Sequence, residues 1–274
     1  KKYFIFNHQN KNSNKKIENN FKLNLLNKKK INKLINKISP DIILHAAAIT
    51  DVDYCEKNKK KALDINYHIT KNLVDIARKK KKYFIFISTD QLFDGNKNKY
   101  NEKSQYSPIN NYAYSKMKSE IYIKNKLKNF LIIRTNFFGK APQGRKSFSD
   151  FIINNIKSKK KIYLFQDIIF NPVHLTTLIT YLEKLLINKK RGIFNISSDK
   201  PISKFHFGKK IVRKLNISDK YIIKSNISNF TSYRAKRPKF MFLDNKKLKR
   251  KIKINKIDIN NDIKKLFNNL VKSK

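Results

Sequence analysis

A chain of 274 residues with 40% apolar side chains buries a sizeable core, as one large domain or two tightly joined lobes. No run of about 18 uninterrupted apolar residues and no cleavable hydrophobic leader is visible, and Cys55 is the single cysteine, so an internal disulfide and a cysteine metal cluster are excluded and a cytoplasmic location is expected. The formal charge of +45 rests on 64 basic residues, 8 of them arginine, dispersed along the whole chain. Dispersed lysine gives weak, sequence-blind attraction to polyanions, so neither a specific nucleic acid nor a membrane is expected as partner.

Short β-rich apolar runs alternate with longer amphipathic stretches, the pattern of an α/β fold with a doubly wound parallel sheet. Strands are predicted at Tyr3–Phe6, Ile42–His45, Tyr83–Ser88, Phe130–Arg134 and Ile193–Ile196. Ala62, Ile65, Ile69, Leu73, Ile76 and Ala77 recur at helical spacing, which predicts a crossover helix over Ala62–Arg78 with its apolar stripe on the sheet. After about Gly139 the alternation weakens into helical stretches such as Leu175–Ile187 and Ser203–Leu215. The division expected is a nucleotide-binding part at 1–140 and a smaller substrate lobe at 141–274, with the strand near 193–196 returning to the main sheet.

Chemistry-bearing residues gather where the predicted strands end. Ala46, Ala47 and Ala48 follow the strand that ends at His45, and small residues there let a flat ligand approach the backbone. The next strand runs into Ser88-Thr89-Asp90-Gln91-Leu92-Phe93-Asp94-Gly95, which puts hydroxyls and a carboxylate on the same edge. Tyr112 and Lys116 are one helical turn apart and share a face. An ammonium near a phenol favours phenolate, so a lowered Tyr112 pKa is expected, as befits a general acid or base. Each segment alone also fits capping, packing or a solvated helix face. His45, His68, His174 and His206 lack metal-ligand spacing, so no metal is expected.

Taken in order, these segments resemble the dTDP-4-dehydrorhamnose reductase family of extended short-chain dehydrogenases, which have a Rossmann fold. Pro40–Glu56 is similar to its "PD-hydrophobic-AA-x-T-x-VD" segment, Asp64-Ile65-Asn66 to its "VN", and Ser88–Gly95 to its "STDYVFDG". Pro108–Glu120 is similar to its "P-x-N-x-Y-G-x-SK-x-x-GE", Arg134-Thr135-Asn136-Phe137 to its "RTSW", and Arg237-Pro238 with Leu243-Asp244 to its late "RP…LD". The resemblance implies NADPH- or NADH-dependent reduction of a nucleotide-linked 4-keto-6-deoxy sugar, and it allows a homodimer. It implies Thr89 as the hydroxyl orienting the carbonyl, Tyr112 as proton donor, and Lys116 as the group holding the nicotinamide ribose and tuning Tyr112. Asn24, Leu25, Ala46, Ala47, Ala48 and Asn66 would contact the cofactor, and Thr50, Val52, Asp90 and Phe137 would border the sugar.

Departures from the family pattern concentrate on the substrate and adenine pockets. Gln91 stands for the usual Tyr, Phe137 for Trp, Asn24 for Asp, and Ala113 and Ser119 for glycines. The family opens with a strand and a G-x-x-G-x-x-G turn that holds the pyrophosphate; here Tyr3–Phe6 followed by Asn7-His8 reads as the second strand, so a truncated sequence is expected. Asn7-His8, where NAD-users often carry an acid for the ribose, leans toward NADPH. Other readings are a sugar epimerase or dehydratase, a non-catalytic subunit like the regulatory subunit of methionine adenosyltransferase, and a decayed gene product.

Overall fold

The computed structural model describes residues 7–9, 20–141, 147–230 and 232–271. The expected strand Tyr3–Phe6 lies outside them. Asn7–Gln9 (β1) runs parallel to Asn20–Lys22 (β2). The helix Lys28–Ile38 (α1) starts where the Asn27 side chain accepts the Lys30 N–H at 3.0 Å, and it buries Ile31 and Ile35. The strand Ile42–His45 (β3) follows, then the short helices Val52–Lys57 (α2) and Lys59–Leu63 (α3).

The helix expected over 62–78 is not uniform, because a π turn, Asp64–His68, joins α3 to Ile69–Lys79 (α4). Tyr83–Ile87 (β4), the helix Asn111–Lys126 (α5), and the strands Phe130–Thr135 (β5) and Phe137–Phe138 (β6) complete the first half. The second half holds Phe148–Lys157 (α6), Ile162–Phe165 (β7), Ile169–Phe170 (β8), Val173–His174 (β9), Leu175–Ile187 (α7), Gly192–Ile196 (β10), Ile202–Ser203 (β11) and Lys204–Lys214 (α8). Ile222–Ser225 (β12), Phe240–Met241 (β13), Lys246–Ile252 (α9) and Ile259–Val271 (α10) end it.

The main sheet is parallel throughout, in the order β10-β5-β4-β3. Successive side chains of a strand point to opposite faces. Phe84, Phe86 and Ile132 therefore pack with Ile31, Leu73, Val74 and Ile123 of α1, α4 and α5 on one face. Ile85, Leu131, Ile133 and Phe194 pack with Leu178, Leu185 and Leu248 of α7 and α9 on the other. This is the doubly wound α/β arrangement. A third core, including Phe138, Ile152, Leu164, Phe207, Ile211 and Ile263, is built by α6, α8 and α10 with the small β7–β12 and β11–β8–β13 sheets. Both layers leave the carboxyl ends of β3, β4 and β5 on one edge, where the residues singled out in the sequence collect.

Candidate active site

At the carboxyl end of β4 the chain turns through Thr89 and Asp90, both nearly fully buried. The Thr89 hydroxyl donates to Asp90 Oδ1 at 3.2 Å and accepts the Gln91 N–H at 3.2 Å. Asn136, just beyond β5, donates to Asp90 Oδ2 at 2.8 Å. Burial pushes the Asp90 carboxyl up to about 6, against the pull of those two hydrogen bonds. The helix α5 is set at its start by two caps: Asn110 Oδ1 accepts the Ala113 N–H at 2.9 Å, and Glu56 Oε2 accepts the Asn111 N–H at 3.0 Å. Tyr112 and Lys116 are thereby turned inward, 7% and 3% exposed.

The electrostatics of this pair differ from expectation. The Lys116 ammonium is spent on the sheet: it donates to the Ile87 carbonyl at 2.7 Å and sits 3.8 Å from the Phe86 ring centroid. Burial drives its pKa down to about 7. Tyr112 lies in a small apolar cluster with Val52, Cys55, Ala62 and Ala235, and burial pushes its phenol above the usual value. Contact with the Thr89 hydroxyl works the other way, while the Asp90 carboxylate and the Cys55 thiol push further up. Desolvation, with the ammonium engaged elsewhere, outweighs the lowering that the helical spacing implied.

The ledge after β3 is open: Ala46 and Ala47 are exposed and Ala48 is half-buried. Thr50 is exposed beside it, Val52 is buried at the start of α2, and Phe137 is 48% exposed on β6. Asn24 is exposed and accepts the Leu26 N–H through its side chain at 2.9 Å, whereas Leu25 packs partly into the core beneath. Asn66 differs from a ligand-contacting residue, since its side-chain atoms serve the protein. Oδ1 accepts from Ile49 N at 2.8 Å, and Nδ2 donates to Ile49 O and to Ser115 Oγ, each at 3.0 Å. It pins the loop after β3 to α5.

Other contributors escaped sequence reasoning. Ser119, which replaces a family glycine, donates to Asn66 O at 2.8 Å and so receives a carbonyl of the π turn. Thr70 donates to the same carbonyl at 2.7 Å and contacts His45 Nε2 at 3.1 Å. Only the i+4 spacing of Ser115 and Ser119 hinted at this buried polar face. Asp53 and Arg237, which stand in two of the segments quoted above, form an ion pair across 184 positions. Among the described residues no group of acids, histidines or cysteine could hold a metal, and no helix is long and apolar enough to cross a membrane.

The edge fits a flat, polar ligand. Among the described residues, the buried hydroxyls of Ser88, just past β4, and of Thr135, the last residue of the neighbouring β5, have no hydrogen-bond partner. Together with the alanine ledge they suit a dinucleotide lying along the strand ends.

The family described as RmlD substrate binding domain matches residues 6–272. The chain belongs to that family. Among its relatives, the probable low-salt glycan biosynthesis reductase Agl14 of Haloferax volcanii is 28% identical over 216 residues, 77% of this chain and 71% of that protein. A dTDP-4-dehydrorhamnose reductase of Aggregatibacter actinomycetemcomitans is 26% identical over 193 residues, 68% of this chain and 65% of that protein. The crystal structure of a dTDP-4-dehydrorhamnose reductase from Bacillus anthracis in complex with NADP superposes with a TM-score of 0.85 at 25% identity. It covers 91% of this chain and 90% of that one. The likeness establishes the reductase fold and, with the family, an oxidoreductase of the sugar-reductase type.

Proposed function

We propose that the chain reduces the 4-keto group of a nucleotide-linked 6-deoxy sugar with a dihydronicotinamide cofactor, NADPH in preference to NADH. The observation that carries this reading is the meeting of Thr89, in the turn after β4, with Tyr112 and Lys116 from α5 on one sheet edge. When bound, the cofactor supplies a hydride to the ketone carbon. Tyr112 gives its phenolic proton to the ketone oxygen, and the Thr89 hydroxyl orients that oxygen. Burial suits Tyr112 to this role, because a raised pKa keeps the phenol protonated until charge develops on the oxygen. Lys116 would hold the nicotinamide ribose and Ala46–Ala48 the flat face of the cofactor, with Asn24 and Leu25 toward the adenine. Asn66 serves them by holding the Ile49 loop. Thr50, Val52, Asp90 and Phe137 border the sugar. In this division residues 1–140 carry the cofactor and 141–274 close over the sugar, and a homodimer is the assembly compatible with it.

The test is NADPH consumption by the chain against a panel of dTDP-linked 4-keto-6-deoxy sugars. Tyr112→Phe lowers kcat by about 10²–10⁴-fold, the usual worth of general acid catalysis, with little change in stability. Tyr114, 40% exposed on the same helix, is the control, and its Phe variant stays near wild type. Near-normal turnover in Tyr112→Phe, or greater damage in Tyr114→Phe, removes the assignment.

A further inference from the structure

Tyr112 is packed by side chains from two distant parts of the chain. Val52, Cys55 and Ala62 come from α2 and α3, but Ala235 arrives from the far C-terminal part of the chain. What holds Ala235 there is a dense set of contacts around one carboxylate. Asp53 Oδ1 accepts the backbone N–H of Arg234 at 3.1 Å and of Ala235 at 3.0 Å. Both Asp53 oxygens also accept from the Arg237 guanidinium, Oδ1 at 3.3 Å and Oδ2 at 2.5 Å. The guanidinium is fixed in turn, since it donates to the Ala235 carbonyl at 3.0 Å and lies 3.9 Å from the Tyr233 ring centroid. A second tie comes from the helix carrying the tyrosine: Asn110, the N-cap of α5, donates to the Lys236 carbonyl at 3.0 Å. The other end is fitted by Gly95, whose φ of +82° and whose missing Cβ admit Lys239 N, only 2.7 Å from where a Cβ would stand.

We propose that Asp53 and Arg237 are positioning residues for the reaction: their ion pair straps Tyr233–Pro238 across the start of α5, so that Ala235 covers Tyr112 and keeps water from its hydroxyl. A structural ion pair alone does not require this arrangement. The carboxylate spends two of its acceptor sites on the backbone N–H groups at and next to the residue that covers the tyrosine, and a bidentate guanidinium fixes its orientation. The inference rests on Tyr112 being the proton donor, but its first readout does not depend on turnover.

That readout is the ionisation of Tyr112 itself, obtained from alkaline absorbance titration of the chain minus the same titration of Tyr112→Phe. The groups facing this phenol are the Thr89 hydroxyl, the Asp90 carboxylate and the Cys55 thiol, with Lys116 one turn along the helix. Asp53→Asn removes an anion and Arg237→Gln a cation, so loss of charge alone would move the phenol in opposite directions in the two variants, whereas entry of water moves it down in both. In Asp53→Asn, and independently in Arg237→Gln, water reaches the phenol and its titration moves down toward the ordinary tyrosine value of about 10. In active protein the alkaline limb of the kcat profile moves with it, while KM for the sugar changes less than kcat. A folded Asp53→Asn or Arg237→Gln variant whose Tyr112 titrates as in wild type overturns the proposal. If one variant fails to fold, the other decides. Wild-type inactivity on every keto sugar would count against the reductase reading and leave the titration result standing.

Discussion

Lys116 illustrates how far one residue's position departs from its motif. Its ammonium is held in the fold at a pKa of about 7, while an unfolded lysine titrates near 10.4. Between those values the unfolded chain binds the additional proton, so the contribution of Lys116 to stability grows as pH rises through that window and is smallest below about 7. Denaturant unfolding of wild type and Lys116→Met at several pH values isolates it, because every other titrating group is common to both. The stability of wild type relative to the variant is expected to climb between about pH 7 and about pH 10. A flat difference would mean the ammonium is hydrated in the fold and the Ile87 and Phe86 contacts are not its resting place. The same residue shows what a motif leaves out: Tyr112 and Lys116 were legible at i and i+4, whereas the direction of the lysine depends on the Ile87 carbonyl and the Phe86 ring of a strand 29 positions away.

At the scale of elements, α5 is tied to β5 by charge as well as by packing. Arg134 on β5 and Glu120 on α5 are 1% and 0% exposed and meet at 2.8 Å, with the Tyr106 hydroxyl donating to the same carboxylate at 2.7 Å. The guanidinium also faces the rings of Phe93 and Tyr106. Breaking a buried pair from one side strands a charge, so Glu120→Gln is expected to cost about 3–5 kcal/mol in urea unfolding. Glu120→Gln combined with Arg134→Met should recover part of that loss, and a double variant as unstable as the sum of the two singles would show that the pair is not coupled. Both residues stood in quoted family segments, yet nothing in either segment said that they meet. The strands β3, β4, β5 and β10 were legible from apolar runs to within a residue or so, and α7 from its periodicity. The π turn was not, because Asp64–His68 continues the helical spacing. Its irregularity is supported by two hydroxyls on the Asn66 carbonyl, Thr70 from the following turn of α4 and Ser119 from α5. Long-range pairs such as Asp53 with Arg237 leave no local periodic signature, so the strap over Tyr112 was visible only as two separate short motifs.

For the whole molecule the decisive quantity is the charge of +45. Many of its few carboxylates already have cationic partners, among them Asp75, Asp199, Asp219 and Asp258, so most remaining lysines face other lysines across water. Two opposite salt effects then compete. Screening weakens the exposed ion pairs, each worth about 0–1 kcal/mol, and it relaxes repulsion among a far larger number of unpaired cations. Raising NaCl from about 0.01 M to about 1 M shortens the Debye length from about 30 Å to about 3 Å, enough to silence the long-range repulsion almost completely. The buried contacts are sheltered from this: Glu120–Arg134 lies in the interior, and Asp262, 3% exposed, anchors α10 by accepting from His174 N at 2.8 Å. Repulsion should therefore dominate, and Tm in calorimetric melts of the chain is expected to rise steadily with NaCl. A Tm that falls with salt would place the balance with the surface ion pairs, and would mean that the lysines are spaced widely enough around the fold for their mutual repulsion to cost little.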